Sequence, residues 1–255
     1  MKTLSVKSLF LILGWPLAGP QTIASTATDV EVTAAHYSKY IWRGQNLNDD
    51  PVFQTAASVS YGGLSAGIWG NMDLTNINGN TGDFSEIDYS LDYSAAMPGF
   101  EGIGYSLGAI YYDFPGTATP ATAELYGALN FDLPLSPSVT LYHDVDEADG
   151  IYVSFAAGHT MEKIAALGSD IGVGMQIGAS LGWGSASYNR YYWATPQSKL
   201  NDLVLSVSFP IQIAGWTSAP SVYYVTLVSD DIRDSDMYGT DSDFFLVGIG
   251  ISRRF

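Results

Sequence analysis

Along most of the chain, apolar and polar residues alternate with a period of two, in runs of roughly ten residues separated by Gly, Asn, Asp and Pro. The last run shows this plainly. Phe245, Val247, Ile249, Ile251 and Phe255 share one parity, and Leu246, Gly248, Gly250, Ser252 and Arg254 share the other. Such a pattern is a strand with an apolar face and a small-or-polar face. The run at 86–93 sets Ile87, Tyr89, Leu91 and Tyr93 against Glu86, Asp88, Ser90 and Asp92. A face carrying three carboxylates cannot meet lipid or a dry core, so it must line something wet. The run at 171–183 sets Ile171, Val173, Met175, Ile177, Leu181 and Trp183 against Gly172, Gly174, Gln176, Gly178, Ser180 and Gly182.

The same rule predicts strands at about 30–43, 52–61, 64–74, 86–93, 103–114, 121–132, 139–146, 151–159, 171–183, 202–213, 221–228 and 244–255. Between them lie a polar loop at 44–51, a Gly62-Gly63 turn, a loop at 75–83, a stretch at 161–170 able to hold one helical turn, an aromatic loop at 184–201 and an acidic loop at 229–243. Twelve strands, or ten if one weak hairpin merges, put both termini on one side. The connections after odd strands are mostly the longer ones. The expected fold is all-β: an antiparallel transmembrane β-barrel of about twelve strands with both termini periplasmic. The final strand has the length of a tilted membrane crossing, roughly 9–11 residues. Ending on Phe255, it resembles the terminal assembly signal of bacterial outer-membrane barrels.

Composition narrows this further. Charged residues are 14% of the chain, against about 25% in a soluble globule, and aromatics reach 13% with 17 Tyr. Lys2 and Lys7 flank a short apolar run, Ser8–Gly19, followed by Ser25-Thr26-Ala27. This reads as a signal peptide over 1–27, with the barrel domain at 28–255. Cysteine is absent, which excludes disulfides and thiolate metal sites. The formal charge of −16, more acidic once Lys2 and Lys7 are gone, excludes a nucleic-acid binder. Expected partners are outer-membrane lipid and lipopolysaccharide, the barrel assembly machinery and small polar solutes.

Candidate chemistry lies on the inward parity. Lys39, Arg43, Glu86, Asp88, Asp92, Glu124, Asp144 and Asp202 are expected to line a pore, with a small-residue wall from Gly172, Gly174, Gly178 and Gly182. Rings of acidic side chains favour cations. A barrel plugged by its own charges is the alternative, because twelve strands lie between filled small barrels and open porins. The glycine wall means either an open lumen or another segment packed against it, and the aromatic loop 184–201 could fold inward. The acidic loop, with Asp230, Asp231, Asp234, Asp236, Asp241 and Asp243, matches no EF-hand spacing, so no metal and no cofactor are expected. Catalytic support is thin. His143 and Asp144 are neighbours and would point to opposite faces of a strand. Aromatics at strand ends, among them Trp42, Trp69 and Tyr112, suit interfacial girdles.

Several motifs together resemble the TorF-type outer-membrane porin family, formerly a conserved hypothetical group. They are Tyr37-Ser-Lys-Tyr-Ile-Trp-Arg-Gly44 followed by Gln45 and Asp50-Pro51, Gly67-Ile-Trp-Gly-Asn71 with Glu86-Ile-Asp-Tyr89, Tyr111-Tyr-Asp-Phe-Pro-Gly116 with Glu124-Leu-Tyr-Gly127, and Tyr142 with Asp144 before Gly150-Ile-Tyr152. The resemblance covers about 30–160. It implies an outer-membrane barrel and passive transport. The sequence reading is thus a porin-like channel for small polar solutes with a weak cation preference. A non-conducting scaffold acting through its outer loops, and a lipid-acting enzyme, are the alternatives.

Overall fold

The computed structural model describes residues 27–79, 81–167 and 171–255; the expected signal peptide lies almost wholly outside them. Its strands are β1 (Asp29–Tyr37), β2 (Tyr40–Trp42), β3 (Gln45–Asn48), β4 (Val52–Tyr61), β5 (Leu64–Asp73), β6 (Phe84–Ala96), β7 (Ile103–Asp113), β8 (Thr122–Phe131), β9 (Ser138–Asp144), β10 (Ile151–Leu167), β11 (Ile171–Gly184), β12 (Lys199–Ser208), β13 (Ile211–Ile213), β14 (Trp216–Leu227) and β15 (Asp243–Arg254). Two helices, α1 (Ala186–Trp193) and α2 (Asp230–Arg233), lie in connections.

Twelve of these strands close an antiparallel barrel in the order β1, β4 to β12, β14, β15, with β15 returning to β1 and short β13 added against β11 and β14. Closure reaches the last residue: the Val30 N–H donates to the Phe255 carbonyl at 3.3 Å and the Phe255 N–H to the Val30 carbonyl at 2.9 Å. Arg254 adds ion pairs across that seam, to Glu31 at 2.7 Å and Asp29 at 3.2 Å. Among the described residues the barrel sheet is thus closed on itself, which removes the free edges an open sheet would present. The start of β1 and the end of β15 share one end of the barrel with the tight turns, and the helices and longer connections lie at the other.

Outward positions carry the apolar parity. Leu91, Leu107, Leu125, Leu141, Phe155, Leu205, Val247, Ile249 and Ile251 are exposed, with Tyr61, Tyr93 and Tyr111 among them. That is far more contiguous apolar surface than a water-soluble monomer shows, and it is the belt of a membrane-spanning barrel. Arg253 stands on this face over Trp216 (5.4 Å) and Phe255 (4.9 Å), its stem covering apolar surface.

Four differences from the sequence reading matter. The first strand ends at Tyr37, not at 43, and the expected polar loop 44–51 is largely a second hairpin, β2–β3. Arg43 (φ 49°) and Gly44 (φ 83°) both take left-handed backbone, so the chain reverses in a two-residue turn instead of extending. Second, 161–167 continues β10 rather than forming a helical turn; a register shift between Met161 and Ala165 absorbs the irregularity. Third, 202–213 splits into β12 and β13, and the next barrel strand starts at Trp216 rather than 221. Fourth, Trp42, Trp69 and Tyr112 are not girdle residues. Trp42 belongs to the hairpin, while Trp69 and Tyr112 both lie opposite inward Asp88.

The hairpin also explains why the inward face is not polar throughout. Near the loop end Tyr40 and Ile41 pack against Ala35, Tyr37, Val52, Trp69, Val204, Tyr223, Val225, Phe244 and Leu246. Ile41, Val52, Val225 and Leu246 are fully buried. Each contributes about 1.5–3 kcal/mol relative to exposure. Towards the terminus end many inward residues are small, including Thr33, Ser58, Ser106, Gly178, Ser206 and Ser252, with the Arg254–Glu31 ion pair among them.

Candidate functional site

The site is the lumen beneath the loop end, and Arg43 is its centre. The left-handed turn projects its side chain from the hairpin tip to β8, where Nη1 and Nη2 donate to the two Glu124 oxygens at 2.7 and 2.8 Å. This is a fork-to-fork pair, the geometry in which guanidinium and carboxylate match best. Tyr112 Oη also donates to Glu124, at 2.8 Å. The guanidinium lies 4.4 Å from the Trp42 ring centre, 4.3 Å from Tyr142 and 4.4 Å from Tyr152, with Tyr188 at 5.9 Å. Burial works against this charge; Glu124 outweighs it, so the Arg43 pKa stands above its ordinary value. The rings themselves form a chain, Tyr126–Tyr142–Tyr152–Tyr188–Tyr192–Trp42–Tyr112.

The other expected pore residues divide by partner. The Tyr40 hydroxyl donates to Glu86 at 2.9 Å and the Tyr152 hydroxyl to Asp202 at 2.8 Å. Burial first, and the Glu86 charge second, push the Tyr40 phenol well up, so it serves as a donor. Asp144 accepts from Thr122 Oγ1 (2.9 Å) and from the Asp146 and Ala148 amides (3.0 and 3.1 Å), which makes it a turn-holding group. Asp92 lies deeper, bonded by Tyr126 Oη (2.7 Å) and Ser94 Oγ (2.7 Å). Asp88 is buried, and its Oδ1 has no hydrogen-bond partner among the described residues. Lys39 is apart from this group: it pairs with half-exposed Asp49, whose pKa it lowers through that hydrogen bond.

The glycine wall is most tightly filled at Gly182. A Cβ on Gly182 would lie 2.2 Å from Tyr152 Oη and 2.3 Å from Asp202 Oδ1, so this glycine makes room for the Tyr152–Asp202 pair. Gly178 faces the lumen, and its carbonyl accepts from Ser206 Oγ at 3.5 Å. Gly174 packs on the β10 bulge carbonyls and Pro210, and nothing lies within 4 Å of a Cβ on Gly172. Loop 184–201 does fold inward at its start. Ser185 Oγ caps α1 by accepting from the Tyr188 amide at 3.3 Å. Buried Asn189 donates to the Gly184 and Gln197 carbonyls (3.1 and 2.8 Å) and accepts from Asn201 at 2.8 Å. Tyr188 and Trp193 then pack with Tyr152, Leu227 and Ile232 of α2.

Sequence reasoning missed Tyr40, Trp42, Tyr142, Tyr152 and Asn189 as site residues. The available signal was parity: Tyr142 and Tyr152 share the inward parity of Thr140, Asp144 and Ser154. His143 points outward and meets exposed Asp149 at 3.4 Å, away from Asp144. Among the described residues no group of three or more His, Asp or Glu is placed to hold a metal ion.

Gly150 fixes how closely α1 sits, since a Cβ there would lie 2.4 Å from the Tyr188 backbone nitrogen. Gly150→Val is expected to lift α1 at a cost of about 1–3 kcal/mol. Hydrogen exchange at 186–193 should then speed up by roughly 5- to 140-fold. Unchanged protection of those amides would show that α1 is held by other contacts.

No family model matches the chain, and no curated protein does. Solved barrels are similar to it in fold. LpxR from Salmonella typhimurium superposes with TM-score 0.50 at 10% identity, covering 88% of this chain and 99% of that one. A KdgM porin gives 0.49 at 11%, covering 88% and 99%. The COG4313 outer membrane channel from Pseudomonas putida F1 gives 0.47 at 10%, covering 94% and 100%. At such identities the likeness bears on fold alone, and one barrel architecture hosts unrelated activities.

Proposed function

We propose that this chain is an outer-membrane channel for small polar solutes, cation-preferring, and closed at rest by its β2–β3 hairpin and α1. In this reading it is exported by the 1–27 signal, folds with both termini periplasmic and presents its helices to the exterior. The TorF-type family reading rests on the motifs from Tyr37 to Tyr152, of which Trp42, Arg43, Glu124, Tyr142 and Tyr152 meet in the lumen. One observation carries the proposal. Glu86, Asp88, Glu124 and Asp202 are buried near one end of the lumen, and of these four only Glu124 is ion-paired, to Arg43. A surplus of carboxylates in a restricted passage lowers the energy of a cation and raises that of an anion.

Planar-bilayer recording tests it. Wild type should conduct weakly, with a reversal potential biased to cations in a salt gradient. Replacing 40–48 by a short Gly-Ser linker should raise conductance at least tenfold. The packed loop end also favours a second reading, a non-conducting scaffold; a folded, inserted linker variant that stays silent would decide for it.

A further inference from the structure

The Arg43 pocket has the parts of a ligand site, although its occupant is covalently part of the protein. We propose that it is a receptor for small guanidinium solutes, for which Arg43 is the built-in occupant. The proposal deepens the channel reading by naming a solute class and rests on that reading for how the solute arrives. Three observations support it. The fork of Glu124 engages both terminal nitrogens of the guanidinium, a match a point-charge ammonium cannot reproduce. Tyr142 and Tyr152 hold their rings at 4.3 and 4.4 Å from the guanidinium carbon, and stacking on rings selects a planar, weakly hydrated cation. Neighbouring inward Asp88, 3% exposed, keeps one carboxylate oxygen without a partner among the described residues. It supplies a second negative position at which an arriving cation can wait.

The placement of these groups on different elements makes exchange possible. Glu124, Tyr142, Tyr152 and Asp88 belong to wall strands β8, β9, β10 and β6, whereas Arg43 and Trp42 belong to the inserted hairpin. If the hairpin withdraws, the occupant leaves and the receptor stays on the wall. A solute then takes the fork of Glu124, and the hairpin cannot re-dock while it is there. Solute binding and opening are thereby one competition.

The test is binding rather than conduction, so it is separate from the channel reading. Arg43→Gly empties the pocket and suits the left-handed backbone at that position (φ 49°). Calorimetric titration of this variant in detergent micelles, after its folded migration on a gel is checked, uses methylguanidinium and methylammonium as probes. Methylguanidinium should bind at least tenfold more tightly than methylammonium, at least tenfold more tightly than to wild type, and at least tenfold more weakly once Glu124→Gln is added. Equal binding of both probes, or no binding to the folded variant, overturns the proposal. So does binding to wild type as tight as to the variant, because the ligand is then elsewhere. Should Arg43→Gly not fold, Arg43→Lys keeps a cation in place but a poorer fork partner. The same ratios between probes, smaller in size, are then required of it.

Discussion

Arg43→Ala should lower unfolding stability by about 3–5 kcal/mol, because it leaves the Glu124 carboxylate buried without its partner. Glu124 is 1% exposed and its remaining donor is Tyr112 Oη, a neutral group that cannot replace a guanidinium. Glu124→Gln should cost a comparable amount by stranding the charge on Arg43 among rings. The double variant should lose less than the sum of the two, since neither charge is then alone. Urea unfolding in lipid vesicles, followed by tryptophan fluorescence, measures all three. A loss under about 1 kcal/mol for Arg43→Ala would mean that the hairpin tip is solvated like a surface ion pair, and the closed lumen would have to be abandoned.

Ile249→Lys should cost about 2–4 kcal/mol if the outward face meets hydrocarbon, as a lysine near the bilayer middle does on a barrel exterior. Ile249 sits midway along β15, paired with His36 and Pro220, and is exposed. The control is one residue on: Gly250→Ser faces the lumen, where an added Cβ finds its nearest neighbour, Ala35 Cβ, at 3.8 Å. It should change stability by less than about 0.5 kcal/mol. Equal, small effects from both substitutions in vesicle refolding would remove the lipid-facing assignment of the apolar parity.

The sequence by itself determined the barrel. Period two is a local property: once Val247, Ile249 and Ile251 must face lipid, Gly248, Gly250 and Ser252 must face the lumen, and the same constraint sorted Glu86, Asp88, Glu124 and Asp202 inward. It also showed that Gly182 faces inward beside an aromatic loop, but left open whether that wall was empty. What the sequence did not decide was the fate of 38–51. Val30, Val32, Ala34 and Trp42 share one parity and Glu31, Thr33, Lys39 and Arg43 the other, so parity extended the first strand through residues 38–43. Only the tertiary structure supplies the reason they leave it: the lumen offers an apolar lining of Leu246, Val225 and Val52 for Tyr40 and Ile41, and a carboxylate among tyrosines for Arg43. Glu124 lies 81 residues from Arg43, and Leu246 lies further still from Tyr40 and Ile41. Alternation records which way a side chain points from its own strand. It carries no information on what comes to fill the space in front of it, and in this barrel that choice sets where the lumen is closed.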